Sequence, residues 1–238
     1  RIMFTNKTKR INKKKSSNES SERPSIIGKT TLVIVTTIAA IFLVTLIINA
    51  IIIGFPTLRI SKTEFPSSYF IQNSNRIDIQ TKHECAGYAT AYAIRALGKE
   101  ADGMKIYEAL KKTGSGDVYA KNICKYIEKE GFYANFHLGN IDQIQRDLSN
   151  GNIVIAIIKT YQGSLLTHYV PVVGYDEKNI YLAESLDYLT NSKDSTLYNR
   201  VISIKDFKKL WDTHTIWAPL NSNTYIIVSK EKVSGKRD

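Results

Sequence analysis

The stretch Gln80–Ala93, QTKHECAGYATAYA, joins a polar run directly to a segment of small residues, and Cys85 stands at the junction. Small residues in this pattern, followed by Gly98 where a C-terminal cap is expected, predict a helix over residues 85–97. Far downstream, residues 168–176 (HYVPVVGYD) place His168 at the start of an apolar strand. The two stretches put a thiol and an imidazole at the ends of two regular elements.

The position of Cys85 favours a nucleophile. The first amides of a helix have no intrahelical partner, and the helix dipole favours an anion there, so a cysteine at such a place is activated toward the thiolate. The alternative is a small buried hydrophobe, which is the common role of an isolated cysteine. The polar residues 81–84 predict a helix start that faces the surface, which supports the nucleophile.

His168 is the natural general base for this thiol. A hairpin that contains its strand can bring the imidazole to the helix start, where it takes the thiol proton and returns it to a leaving group. The alternative is a strand-edge histidine that is satisfied by backbone groups. The remaining histidines lie in loops or beside glycine and are weaker candidates: His83, His137 and His214.

Two further side chains complete the candidate site. Glu184 lies sixteen residues after His168, at the end of the next predicted strand, where a hairpin returns it beside the imidazole. Gln80 lies five residues before Cys85 and is predicted to donate its side-chain amide to an oxyanion, the alternative being a surface glutamine. The acids that compete with Glu184 are Asp176 and Asp187.

No metal or other cofactor is predicted. The histidines are scattered, and neither cysteine has a second ligand at the spacing of a metal site. A disulfide between Cys85 and Cys124 is an alternative outside the cell. However, the apolar residues around Cys124 predict a core side chain.

The charge of the chain is concentrated at one end. Of its 33 basic and 22 acidic residues, nine basic and two acidic ones lie in residues 1–30. The remainder has no basic surface interleaved with aromatic residues, so we expect no nucleic-acid partner.

An uncharged run follows this basic tail. Residues 30–58 contain no charged residue, and residues 31–53 are long enough to cross a bilayer, longer than the core of a secretory signal. We therefore predict a signal anchor over residues 31–54 that contacts the lipid bilayer. Because basic residues prefer the cytoplasmic side, residues 1–30 are predicted to be cytoplasmic and residues 55–238 extracytoplasmic.

The remaining sequence predicts one α+β domain. Residues 55–75, with proline and serine, are interpreted as a stalk, residues 76–230 as the domain and residues 231–238 as a tail. Predicted helices come mostly first and strands mostly later, which indicates α+β rather than a parallel α/β repeat. The predicted helices span residues 85–97, 104–112, 118–130, 141–148 and 203–211, and the predicted strands span residues 76–79, 132–136, 153–159, 169–174, 180–183 and 224–228.

Four pieces of this sequence resemble one known family, the papain-like cysteine peptidases of the bacteriocin-leader (double-glycine) type. Gln80-x4-Cys85 is similar to the family's nucleophile region. The other pieces are similar to its helix, glycine turn and buried strand, to its histidine strand and to its acid-bearing strand: residues 142–157 (DQIQRDLSNGNIVIAI), 168–176 (HYVPVVGYD) and 180–184 (IYLAE).

The resemblance implies a papain-like fold, with the nucleophile at the N-terminus of a central helix that packs against an antiparallel sheet. It also implies Cys85 as nucleophile, His168 as base, Gln80 as oxyanion donor and Glu184 as third member. Two positions depart from the pattern: Ala86 stands where the family usually has glycine, and Glu184-Ser185 stands where it usually has Asp-Pro.

We therefore expect a membrane-anchored extracytoplasmic cysteine peptidase that acts on a peptide or protein through a thioester. The departures from the pattern motivate one alternative, a catalytically silent binding domain on the same scaffold. A cell-wall amidase is another alternative, but Gln80 and the long gap between Cys85 and His168 favour the peptidase. The oligomeric state is left open.

The predicted topology has a direct test. Protease added to intact cells is expected to digest the chain beyond Phe55, because that part is predicted to lie outside the membrane. Immunoblotting with antibodies against each end measures the digestion, and cells opened with detergent are the control. Protection of the C-terminal domain in intact cells would invert the orientation.

Overall fold

A computed structural model describes residues 26–60, 64–73, 75–215 and 218–232. The chain divides into two units, residues 1–42 and 43–238. The predicted tails, residues 1–30 and 231–238, fall largely outside the described residues.

One long helix, α1 (Ile26–Ile52), contains the predicted span. Its segment Gly28–Ile52 has a mean hydropathy of 2.8 and is the one helix of the described residues that is long and apolar enough to cross a membrane. In the first unit, the side chains of residues 28–42 are all exposed. An apolar helical segment with exposed side chains suits a membrane span, and a signal sequence near the N-terminus has the same properties.

The second unit is a mixed sheet with helices, as the α+β prediction expects. Its helices are α2 (Cys85–Ala96), α3 (Gly103–Ala109), α4 (Ala120–Lys129), α5 (Ile141–Ser149) and α6 (Ile204–Trp211). Its strands are β1 (Thr57–Leu58), β2 (Tyr69–Phe70), β3 (Tyr133–Leu138), β4 (Ile153–Lys159), β5 (Thr167–Tyr175), β6 (Asn179–Leu182), β7 (Arg200–Ser203) and β8 (Thr224–Ser229).

The strands form one sheet in the order β1-β3-β8-β4-β5-β6-β7, with β2 paired to β5. All pairs are antiparallel except β1 with β3. The central strand β4 is buried almost throughout, as its run of β-branched residues predicts. The hairpin of β5 and β6 pairs Val172 with Leu182, and the Ala183 amide then donates to the Pro171 carbonyl. The chain after β6 therefore runs back toward the start of β5.

Helix α2 packs against β4 and β5, and its small residues allow α3 to approach closely. A Cβ atom placed on Gly87 would lie 2.2 Å from the Gly103 carbonyl oxygen and 2.6 Å from Tyr107 Cβ. The glycine one position further from Cys85 than the family pattern thus has a packing role: it sets the distance between α2 and α3.

The predicted strand over residues 76–79 is wrong. This segment is irregular because the Arg95 side chain of α2 takes up its polar groups. The Arg95 guanidinium donates to the Asn75 side chain and to the Arg76 carbonyl, and it pairs with Asp78 at 3.1 Å. The segment therefore follows the helix instead of joining the sheet.

Three short strands were absent from the sequence prediction. Strands β1 and β2 lie within residues 55–75, the predicted stalk, and both pair with the sheet of the second unit. Strand β7 lies beyond β6 and pairs Arg200 with Leu182. Strands β1 and β2 have two residues each, too few to show alternation. Strand β7, RVIS, has two apolar residues between polar ones and no alternation, and it supplies a residue to the candidate site.

Gly87→Ala is expected to destabilise the fold. The added methyl group meets backbone and Cβ atoms that cannot move away easily, so the free energy of unfolding should fall by about 1–3 kcal/mol. Thermal unfolding of the full chain in detergent measures the change as a drop of several degrees. Gly114→Ala is the matched control, since a Cβ atom there meets nothing within 4 Å. Equal melting temperatures for the two variants would contradict the packing role.

Candidate active site

Cys85 is the first residue of α2 and is partly exposed. The loop before it is closed by Glu84, whose carboxylate accepts from the Lys82 amide at 2.7 Å and from the Thr81 hydroxyl at 3.3 Å. Glu84 is itself buried, although the sequence analysis grouped it with the surface-facing residues. Its carboxylate folds back on the loop, and this turn fixes the point at which the helix begins.

His168 is the second residue of β5 and pairs with Ile158 of β4. Its side chain is only 2% exposed, and the Cys85 thiol lies close enough to act on its pKa. The contact between α2 and β5 places the thiol and the imidazole together. His168, which begins a strand in the sequence, is therefore buried beside the start of α2 in the structure.

Glu184 lies against the other side of the imidazole. Its Oε1 atom is 2.7 Å from His168 Nε2, and both side chains are buried. The return of the chain after β6 produces this contact, as the hairpin predicted. Because Nε2 is held by the carboxylate, Nδ1 is the ring nitrogen left for the thiol.

Both carboxylate oxygens of Glu184 have further partners. Oε1 also accepts from the Leu186 amide at 2.8 Å, and Oε2 accepts from Arg200 Nη1 at 2.7 Å. Asn199 holds the backbone of Glu184: its side chain accepts from the Glu184 amide at 2.7 Å and donates to the Glu184 carbonyl at 2.8 Å. The carboxylate is thus held from its side chain and from its main chain.

Gln80 is buried beside the residue that follows Glu184. Its amide nitrogen donates to the Lys82 carbonyl at 2.7 Å, and its Oε1 atom accepts from the Ser185 hydroxyl at 2.6 Å. A carbonyl can only accept, so the nitrogen must face Lys82, and this fixes the orientation of the amide. The backbone N–H of Gln80 also donates to the Ser185 carbonyl at 2.9 Å. The hydroxyl bond from Ser185 to Gln80 Oε1 is a contact that proline at position 185 cannot make.

Charge and burial shift the pKa values of His168 and Glu184 in opposite directions. Burial lowers the pKa of His168, but the negative charge of Glu184 and the neighbouring Cys85 side chain outweigh burial and raise that pKa to about 9. Burial raises the pKa of Glu184, yet His168, the Leu186 amide and Arg200 together hold it below its usual value. An imidazole of this kind takes a thiol proton readily and keeps it until a leaving group forms.

The competing residues lie elsewhere. His83 is exposed, His137 contacts Thr57 at 2.8 Å, and His214 pairs with Asp212. The Asp176 carboxylate accepts from its own turn and from Tyr181, and Asp187 is exposed. Both cysteines are free thiols, and Cys124 is buried. Cys85, His168 and Glu184 are therefore brought together, and Gln80 joins them through Ser185.

Three residues that hold these side chains were not predicted from the sequence: Ser185, Asn199 and Arg200. A buried acid needs a compensating charge, so a buried Glu184 by itself implies a basic partner such as an arginine. The sequence offered no sign that Arg200, sixteen residues later, was that arginine.

Comparisons with known proteins identify the fold. No protein-family model and no curated protein matches the chain. Among solved structures, a protein described as a C39-like peptidase from Bacillus anthracis matches with a TM-score of 0.53 and 17% identity, over 70% of this chain and 100% of that one. This similarity confirms the predicted papain-like fold.

Two other solved structures are similar to a lesser degree. The peptidase domain of Streptococcus ComA, a bifunctional ABC transporter involved in quorum sensing, has a TM-score of 0.49 and 15% identity, over 67% of this chain and 100% of that one. Xylellain, a cysteine protease from Xylella fastidiosa, has a TM-score of 0.49 and 11% identity, over 75% and 92%.

The two thiols are expected to differ in reactivity. Cys85 is partly exposed and lies beside His168, whereas burial raises the pKa of Cys124 to about 12. Because the thiolate is the form that reacts, iodoacetamide at pH 7 should alkylate Cys85 at least tenfold faster, as followed by mass spectrometry of the full chain. His168→Ala should slow the reaction of Cys85 and leave Cys124 unchanged. Equal rates at the two cysteines would contradict an activated thiol.

Proposed function

We propose that this protein is a membrane-anchored extracytoplasmic cysteine peptidase that cleaves a peptide bond through a thioester. One observation carries the proposal: the thiol of Cys85, at the start of α2, lies beside the buried imidazole of His168, which is hydrogen-bonded to Glu184 at 2.7 Å. Nucleophile, base and orienting acid in this order are the parts that thiol hydrolysis requires. The similarity of the fold to a C39-like peptidase supports the same reaction class.

In the first half of the proposed reaction, Cys85 Sγ attacks the carbonyl carbon of the scissile bond while His168 takes the thiol proton. Glu184 stabilises the imidazolium and keeps the ring in place. His168 then gives the proton to the amide nitrogen, the C–N bond breaks, and the amine product leaves. The carbonyl carbon remains bonded to sulfur as a thioester.

In the second half, His168 takes a proton from water, and the water oxygen attacks the thioester carbon. The C–S bond breaks, the sulfur recovers the proton, and a carboxylic acid is released. The thiol and the imidazole thereby return to their starting forms.

Negative charge on the substrate oxygen needs donors in both halves. We assign this role to the backbone amide of Cys85 and to the side-chain amide of Gln80. The first amides of a helix lack intrahelical acceptors, and one of the two Gln80 N–H bonds is used by the Lys82 carbonyl, which leaves the other for substrate. The Ser185 hydroxyl on Oε1 holds the amide in this orientation.

The proposed location rests on the apolar helix and on the distribution of charge. An apolar helix of this length, preceded by a basic tail, is typical of a signal anchor with a cytoplasmic N-terminus. The candidate site then lies on the extracytoplasmic side of the membrane, and its substrate is an extracytoplasmic peptide or protein.

Peptide cleavage by the full chain in detergent tests the proposal. A peptide library is incubated with the protein, and mass spectrometry identifies the products. Cys85→Ala is expected to reduce cleavage by at least 10⁴-fold, because no other group replaces the nucleophile. Cys124→Ala, at a buried cysteine outside the candidate site, is the matched control and should retain most of the activity.

Other outcomes point to the alternatives. Release of muropeptides from purified cell wall, with no cleavage of peptides, would identify an amidase instead. A Cys85→Ala protein that keeps its full biological activity would identify a binding domain.

A further inference from the structure

Glu184 requires more support than a histidine alone provides. Its carboxylate is 0% exposed, and the side chain has three rotatable bonds whose freezing costs entropy. Burying a carboxylate without compensation is strongly unfavourable. One oxygen faces His168, so the ionised form and the side-chain rotamer both depend on what holds the second oxygen.

The second oxygen is held by a guanidinium. Arg200 Nη1 lies 2.7 Å from Glu184 Oε2, and the arginine is itself only 7% exposed. Arg200 begins β7, where it pairs with Leu182, two residues before the acid, and Asn199 beside it clamps the Glu184 backbone. The end of β6 and the start of β7 therefore form one rigid support for the carboxylate.

We propose that Arg200 is a positioning residue for the candidate active site: it keeps Glu184 ionised and in the rotamer that presents Oε1 to His168. This inference rests on the proposed function. Arg200 contacts the acid and acts on the thiol through Glu184 and His168.

The electrostatic consequence has a definite sign. Among the described residues, the charged or titratable groups that contact Glu184 are His168 on β5 and Arg200 on β7, and Cys85 on α2 follows through His168. Removing the guanidinium of Arg200 takes a positive charge away from the surroundings of Glu184, His168 and Cys85. The pKa of Glu184 then rises. As the pH falls, Glu184 is therefore protonated at a higher pH than in the wild type, and the imidazolium that stabilises the thiolate loses the carboxylate charge there.

The pH dependence of Cys85 alkylation by iodoacetamide tests the inference without any knowledge of the substrate. In Arg200→Gln, the acid limb of the rate profile is expected to move up by about one pH unit, since an arginine at such a distance lowers a carboxyl pKa by roughly 1–3 units. On that limb the rate constant should be about tenfold below that of the wild type at the same pH. Mass spectrometry of the full chain in detergent gives the rate for the Cys85 peptide.

Arg59→Gln is the matched control. Arg59 pairs with Asp147 at 3.0 Å, and this pair is also buried, with side-chain exposures of 11% and 0%. Asp147 also accepts from the Tyr225 hydroxyl, and within the described chain the hydrogen bonds of its carboxylate do not reach the candidate site. Loss of this pair should lower the melting temperature as Arg200→Gln does, but leave the pH profile of Cys85 in place.

Arg200→Lys decides the matter if the glutamine variant does not fold. Lysine keeps the positive charge, but its side chain is shorter and cannot place the ammonium group as close to Glu184 Oε2. An acid limb between those of the wild type and the glutamine variant is therefore expected. Profiles of folded Arg200 variants that superimpose on the wild type, while alkylation still depends on His168, would overturn the role of Arg200 alone. An alkylation rate of Cys85 that His168→Ala does not change would overturn both this inference and the proposed function.

Discussion

The buried negative charge of Glu184 is the constraint on which the candidate site depends. Breaking a buried ion pair by removing one partner costs about 3–5 kcal/mol, a large part of the stability of a single domain. Glu184 is therefore stable inside the domain only while its partners stay in place, and these come from β5, from the turn after the acid and from β7. The same contacts that make the burial tolerable also fix the imidazole.

This arrangement connects the two halves of the site. Glu184 meets the imidazole, and the next residue, Ser185, meets the amide of Gln80 through its hydroxyl and its carbonyl. One dipeptide thus orients both the base and the proposed oxyanion donor. The departure from the family's Asp-Pro pattern is accompanied by compensating contacts: a longer acid held by an arginine, and a serine that bonds where proline has no donor.

The long elements and three site residues were accessible from the sequence because their signals are local. The β-branched run of β4, the small residues of α2 and the hairpin spacing between His168 and Glu184 each follow from the residues themselves. The irregular segment 76–79 was mistaken for a strand, since its partner is an arginine nineteen residues after Arg76. Strand β7 was missed because its residues, RVIS, do not alternate between apolar and polar.

The sequence by itself determined that a thiol begins a helix, that an imidazole begins a strand, that an acid ends the next strand and that an apolar helix precedes them all. These are properties of periodicity and chain order. Only the tertiary structure decided that the acid is fully buried, that Arg200 and Asn199 hold it, and that Ser185 orients Gln80. The reason is physical: a buried charge selects its partners by distance in space, and sequence separation does not encode that distance.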